Sequence, residues 1–242
     1  MYRWNPTFVK ALITRWQQRA LNVRSWRSFP ECDVKSVAVV GNAGYLGELA
    51  QGPLIDSHEL VIRMNNFQTS GFEAQVGTRV DLFLTNFFTD IRYERPELDQ
   101  AKYIVASVPN NFRKRRRHHL HHRHSEHIVA GLKAMRRTDV FVPEWDAFYE
   151  WVRRWGSFPS TGMMATLFAL NSLRCETLYI TGFSFFRDTP HYFHDRPASA
   201  RDHNFTQEQM CLQTLLAPHV ASGRVVVDPV MAELLQLPSE SR

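Results

Sequence analysis

The chain has 242 residues, 44% of them hydrophobic, a net charge of +5 and three cysteines. That length and apolar content are enough for one substantial core, and they exclude a largely disordered chain. The scattered Cys32, Cys175 and Cys211 suit neither a disulfide framework nor a zinc site, and no stretch reads as a signal peptide or a membrane span, so a reducing cytoplasm is the expected compartment.

Residues 1–30 carry Arg3, Lys10, Arg15, Arg19, Arg24 and Arg27 with no acid, while Trp4, Phe8, Leu12, Trp16 and Ala20 recur every four residues. The spacing predicts a basic amphipathic segment, distinct from a domain over 31–242. It either packs its aromatic stripe on that domain or makes a peripheral contact with an anionic membrane, here the inner face of the plasma membrane. Next, the apolar run Val37 to Val40 leads into Gly41, Asn42, Ala43 and Gly44, the pattern of a buried strand delivering a glycine-rich turn to a phosphate. A second strand ends in Arg63-Met64-Asn65-Asn66, and further strands are expected in 79–86, 101–109 and 138–143.

Between the last two lies the basic run 112–124, with no acid until Glu126. It reads as a solvated loop or as a site for a polyanionic acceptor or anionic lipid. Nucleic acid is not expected, because no pattern of stacking aromatics accompanies the charge. A capped helix over about 161–173, a strand over 177–181, a helix over about 205–216 and a strand over 224–229 complete the chain. This alternation predicts a single α/β, Rossmann-like domain with a mainly parallel sheet flanked by helices. The binding crevice would lie where Gly41, Asn65, Asn86 and Gly182 meet, beyond the carboxyl ends of the strands.

A dinucleotide is one candidate ligand. Gly41, Gly44 and Gly47 follow a strand, and Arg63 ends the next, where a 2′-phosphate of NADP would be read. Against an NADP-dependent oxidoreductase, the tighter G-x-G-x-x-G is missing and no tyrosine is followed four residues later by lysine.

Four stretches agree on a different ligand. "VAVVGNAGYLG…IDSHELVIRMN" resembles the large sialyl motif of the eukaryotic-type sialyltransferases, glycosyltransferase family 29, and "PSTGMMATLFALNSLRCETLYITGF" resembles their small sialyl motif. "HYFHD" (191–195) is similar to the family's third motif, and "HNFTQE" (203–208) to its very small motif. The resemblance implies a variant of the GT-A glycosyltransferase fold. It also implies an inverting, metal-independent transfer of a nonulosonic acid, typically a sialic acid, from its CMP conjugate to a hydroxyl of an acceptor glycan or glycolipid, with no further cofactor. No Asp-x-Asp occurs in the chain. By the same resemblance Asn42 and Asn65 contact the phosphate or ribose, Ser160, Thr161 and Gly162 line the donor pocket, and Gly182 and Phe183 lie near the cytidine. His191 and Tyr192 sit at the phosphate, and His203 is the base.

The chemistry asks for such residues. Charge accumulates on the departing CMP phosphate, so donors there stabilise the transition state, and a neutral histidine suits the acceptor proton. His203 precedes Asn204, an expected N-cap with Gln207 three residues on, and so sits at a helix's positive end, which favours neutral imidazole. Glu208 reads as an orienting carboxylate. Outside this pattern the same residues have plainer readings: Asn42 as a turn former, Asn65 as a strand end, His203 as a surface histidine.

The chain departs from the family in three ways. The cysteine of the large motif is replaced by Val37, although Cys175 occupies the position of the small-motif cysteine; the usual anchor and stem are not seen; and His194 stands where an acid is more common. The expected protein is a compact, bacterial-like member, for which CMP-Kdo, with a lipopolysaccharide or capsule acceptor, is an alternative donor. A non-catalytic polyanion-binding module, resting on 112–124, is the remaining alternative.

Overall fold

The computed structural model describes residues 21–30, 33–88, 90–109, 120–185, 190–193 and 203–238. Among these residues eight strands form one sheet: β1 (Asn22–Ser25), β2 (Asp33–Val40), β3 (Leu60–Met64), β4 (Leu82–Thr85), β5 (Tyr103–Ala106), β6 (Asp139–Val142), β7 (Arg174–Thr181) and β8 (Val225–Val227). Their order is β1-β6-β5-β4-β3-β2-β7-β8, and every pairing between neighbours is parallel. The helices are α1 (Gly52–Asp56), α2 (Glu73–Val76), α3 (Leu120–Ala134), α4 (Trp145–Trp155), α5 (Thr161–Ser172), α6 (Phe205–Ala221) and α7 (Pro229–Leu235).

The apolar runs are continuous because both faces of the sheet are covered. On one face Val37, Val39, Leu60, Ile62, Leu82, Leu84, Leu178 and Ile180 join residues of α5, α6 and α7 in one core. The alternate residues point the other way: Ala38, Val40, Val61 and Tyr179 pack with Ile55 and Val76, and Phe83 packs with Ile128 and Leu132 of α3. Helix α5 is apolar all round, and Met163 to Ala169 are buried, which makes it the central helix of its layer.

The chain runs outward from β2 through β3, β4 and β5 to β6, then returns by α4 and α5 to the other side of β2 to form β7 and β8. Strand order therefore reverses at β2, which sets a crevice beyond the carboxyl ends of β3, β2 and β7.

Several expectations change. Residues 22–29 are not part of a separate segment: β1 pairs with β6, and Trp26 and Phe29 are buried in the main core. The four residues Asn22–Ser25 alternate exposed and half-buried at a sheet edge, too short a run to stand out in sequence. The aromatic stripe from Trp4 to Ala20 lies outside the described residues, as do 112–119 of the basic run and His194; Leu120 already begins α3, so the far end of that run is helix rather than loop. Helix α6 extends past Pro218 to Ala221, and Asp228 and Pro229, expected in the last strand, instead cap and begin α7.

The β2–β7 register pairs Val34 with Cys175 and Val37 with Leu178. Cys175 is thus offset from position 37 by three strand residues, about 10 Å along the strand, which is beyond disulfide reach whatever residue stands at 37. Among the described residues no helix is long and apolar enough to cross a membrane.

Candidate active site at the β2 switch point

The two glycine turns at this point interlock. Gly41 N–H donates to the Thr181 carbonyl at 2.8 Å, and Ala43 N–H donates to the Gly182 carbonyl at 3.0 Å. A Cβ on Gly41 would lie 2.1 Å from the Gly182 carbonyl oxygen, so only glycine permits the approach. Gly182 itself has φ +84°, a conformation that glycine adopts without strain. Two N–H groups of the first turn are therefore committed to β7 rather than offered to a phosphate. Phe183 packs its ring between Gly41 and Gly162, the latter in the first turn of α5.

Side chains take over where the turn's backbone is occupied. Asn42 donates from Nδ2 to the Met64 carbonyl at 3.1 Å, while its Oδ1 is buried without a partner among the described residues. Asn65, at the end of β3 with φ +49°, donates from Nδ2 to Thr161 Oγ1 at 3.1 Å and accepts from the Asn86 N–H at 3.2 Å. One carboxamide thus ties β3, β4 and the start of α5 together. Ser160 caps α5, its hydroxyl accepting from Met163 N–H.

Glu208 lies on α6 and is buried. Its carboxylate accepts from the Ser160 N–H at 2.8 Å and from the Ser160 hydroxyl. Burial raises its pKa, while the Ser160 donors and nearby His203 oppose that rise. His203 Nδ1 lies 2.8 Å from the Phe158 carbonyl oxygen. A carbonyl only accepts, so Nδ1 carries the hydrogen, and in the neutral ring Nε2 holds the lone pair. Asn204 caps α6 by accepting from Gln207 N–H at 3.1 Å, and the Gln207 Nε2 donates to Cys211 Sγ at 3.6 Å.

The segment 190–193 lies across the first turn. His191 forms an antiparallel bridge with Ala43, and Tyr192 N–H donates to the Asn42 carbonyl at 3.3 Å. The Tyr192 hydroxyl, expected at the phosphate, donates to the Gln68 carbonyl and accepts from the Gln68 N–H at 3.0 Å. Burial raises the pKa of that phenol, with Arg63 and Arg95 opposing.

Arg63 does not read a 2′-phosphate. It is fully buried, donating from Nε to the Arg79 carbonyl at 2.7 Å and from Nη2 to the Val76 carbonyl at 2.5 Å, and burial lowers its pKa to about 10. Segment 76–79 folds over it, so a place at the end of β3 does not leave it open to a ligand.

Three contributors carried no sequence signal of a role here. Asp228 accepts from the Tyr45 and Thr181 hydroxyls, each at 2.7 Å, and from Gly182 N–H at 3.3 Å. Tyr45 also accepts from Gly182 N–H at 2.8 Å, and its pKa is raised by burial first and by Asp228 second. Asp228-Pro229 after a run of valines is readable as a helix cap, but not as the brace of a turn 46 residues earlier. Arg95 is the third. Among the described residues no cluster of three or more His, Cys, Asp or Glu could hold a metal.

The model of glycosyltransferase family 29 (sialyltransferase) matches residues 2–220. The human CMP-N-acetylneuraminate-beta-galactosamide-alpha-2,3-sialyltransferase 1 is 28% identical over 178 residues, covering 67% of this chain and 48% of the relative. Sialyltransferase-like protein 1 of Oryza sativa subsp. indica is 27% identical over 237 residues, covering 82% of this chain and 58% of the relative. The chain therefore spans about half the length of the curated relatives it matches. A crystal structure of a mammalian sialyltransferase superposes with a TM-score of 0.61 at 24% identity, over 90% of this chain and 78% of that one, so the two share the GT-A-like fold. With the family model matching nearly the whole chain, this protein belongs to glycosyltransferase family 29.

Proposed function

We propose that this protein transfers a sialic acid from its CMP conjugate to a hydroxyl of an acceptor glycan, inverting the anomeric centre and needing no metal. The observation that carries this reading is the convergence of four separated motifs on the β2 switch point: Asn42 with its unpartnered Oδ1, Asn65 joined to Thr161, His191 bridged to Ala43, and His203 held by Phe158. Family membership supports the choice of donor and reaction.

In this reading His203 Nε2 takes the acceptor proton as the acceptor oxygen bonds to the anomeric carbon. The bond from that carbon to the phosphate oxygen breaks from the opposite face, and CMP leaves with the electron pair. His191, Asn42 and the start of α5 at Ser160, Thr161 and Gly162 meet the charge that grows on the phosphate. Gly182 and Phe183 form the nucleoside wall. Tyr192 fixes the 190–193 segment instead of touching the phosphate. The basic stretches 1–20 and 112–124 would hold the enzyme, peripherally, to an anionic membrane carrying its glycolipid acceptor.

The test is a donor panel of CMP-sialic acid, CMP-Kdo, UDP-sugars and NADPH, read by CMP release and thermal shift, with and without a chelator. CMP release from CMP-sialic acid, unaffected by the chelator, is the expected result. Release from CMP-Kdo alone would move the donor assignment, and a shift with NADPH but not with CMP would end the transferase reading.

A further inference from the structure

We infer that Arg95 is a positioning residue for the donor pocket: it sets the left-handed backbone at Asn65 and so aims the carboxamide that joins Asn86 to Thr161. This rests on the donor-binding reading of Asn65 given above. Arg95 Nη2 donates to the Asn65 carbonyl and Nη1 to the Phe67 carbonyl, so one planar guanidinium spans both ends of the turn. The fork geometry is specific to arginine; a lysine ammonium could not hold two carbonyls at this fixed separation.

The guanidinium is itself held. Its Cζ lies 4.1 Å from the Phe67 ring centroid and 5.5 Å from that of Phe83, and its Nε is buried without a partner among the described residues. No ion pair joins it to a carboxylate among the described residues, and burial lowers its pKa to about 10. Withdrawing a half-buried guanidinium from water is costly unless its hydrogen bonds are made, and here Nη1 and Nη2 spend theirs on one fixed turn. The conformation it holds is the uncommon one. Asn65 has φ +49°, sparsely populated for a residue with a side chain, and it is the junction on which both crevice contacts depend. The loop carrying Arg95 is clasped to the same turn a second time, with Asn66 Oδ1 accepting from Arg92 N–H at 2.8 Å and Asn66 Nδ2 donating to the Asp90 carbonyl at 2.9 Å.

The experiment is a double-mutant cycle on CMP affinity and on unfolding, using wild type, Arg95→Met, Asn65→Gly and the double variant, with Arg92→Met as control. Arg95→Met should weaken CMP binding roughly tenfold or more, as loss of a positioned polar contact does, and Arg92→Met should not. In the Asn65→Gly background, where glycine adopts the turn unaided and the carboxamide is gone, Arg95→Met should cost little further affinity. Arg95→Lys should behave like Arg95→Met, and millimolar ethylguanidinium should restore part of the affinity of Arg95→Met only. Wild-type affinity in Arg95→Met, or full additivity with Asn65→Gly, overturns the inference. Should the wild type bind no CMP, the donor reading is what fails, and the cycle on unfolding free energy still decides: coupling between positions 65 and 95 supports the inference, and additivity overturns it.

Discussion

His203 and His191 act on opposite ends of the proposed transition state, and their loss should look different. Replacing His203 by Ala removes the proton acceptor, so transfer is expected to fall by about two to four orders of magnitude with CMP affinity unchanged. Replacing His191 by Ala removes a partner of the phosphate, so transfer should fall by about two to three orders with weaker CMP binding as well. Single-turnover kinetics alongside calorimetry separates the two, and full activity in His203→Ala would remove it as the base. Glu208 offers a pH test. Its pKa is raised by burial, so the native state holds its proton more tightly than the unfolded chain does. Its contribution to stability is therefore greatest below the ordinary carboxylate range and declines as pH rises through the raised value. The stability of the wild type relative to Glu208→Gln should decrease on going from pH 4 to pH 7, measured by denaturant unfolding; a flat difference would show that Glu208 does not titrate this way.

At the scale of elements, the interlocked turns between β2 and β7 make two glycines unequal. At Gly41 a methyl group would meet a main-chain carbonyl, at 2.1 Å, which only a shift of the β7 end relieves. At Gly162 it would meet the Phe183 ring at 2.6 Å, a side chain that can rotate. Overpacking costs about 1–3 kcal/mol, and Gly41→Ala is expected at or above the top of that range with loss of CMP binding. Gly162→Ala should cost less, and Phe183→Leu should relieve it; chemical denaturation of both variants and the double variant checks this. Parts of this were legible in advance. Gly41 and Gly182 each follow an apolar run, and Ser160 and Asn204 have cap chemistry. That Phe183 fills the space between two of the glycines was not legible, because it depends on β7 lying beside β2 while being 134 residues later in sequence, counting from Val40 to Arg174.

For the whole molecule, the uneven charge is the remaining lead. If the basic stretches bind an anionic surface, co-sedimentation with vesicles containing phosphatidylserine should fall steeply between about 50 and 300 mM salt, as screening shortens the reach of each charge. Recovery independent of lipid charge would leave those stretches without a membrane role.

The sequence by itself determined the class of fold, the order of the motifs and the chemistry of the candidate residues. Apolar runs of four to five residues separated by helical spacing admit few arrangements other than a covered parallel sheet, and local cap and turn chemistry is written within three or four neighbouring residues. Tertiary structure alone decided which polar groups remain available. Arg63 and Tyr192 carry the right chemistry at the right motif positions, yet backbone carbonyls from 76, 79 and 68 occupy them. Arg95 and Asp228 stand outside every motif, yet brace Asn65 and Gly182. A side chain's type is local, but its hydrogen-bond partners come from whichever segments the sheet order brings beside it, and a buried donor must take the nearest acceptor.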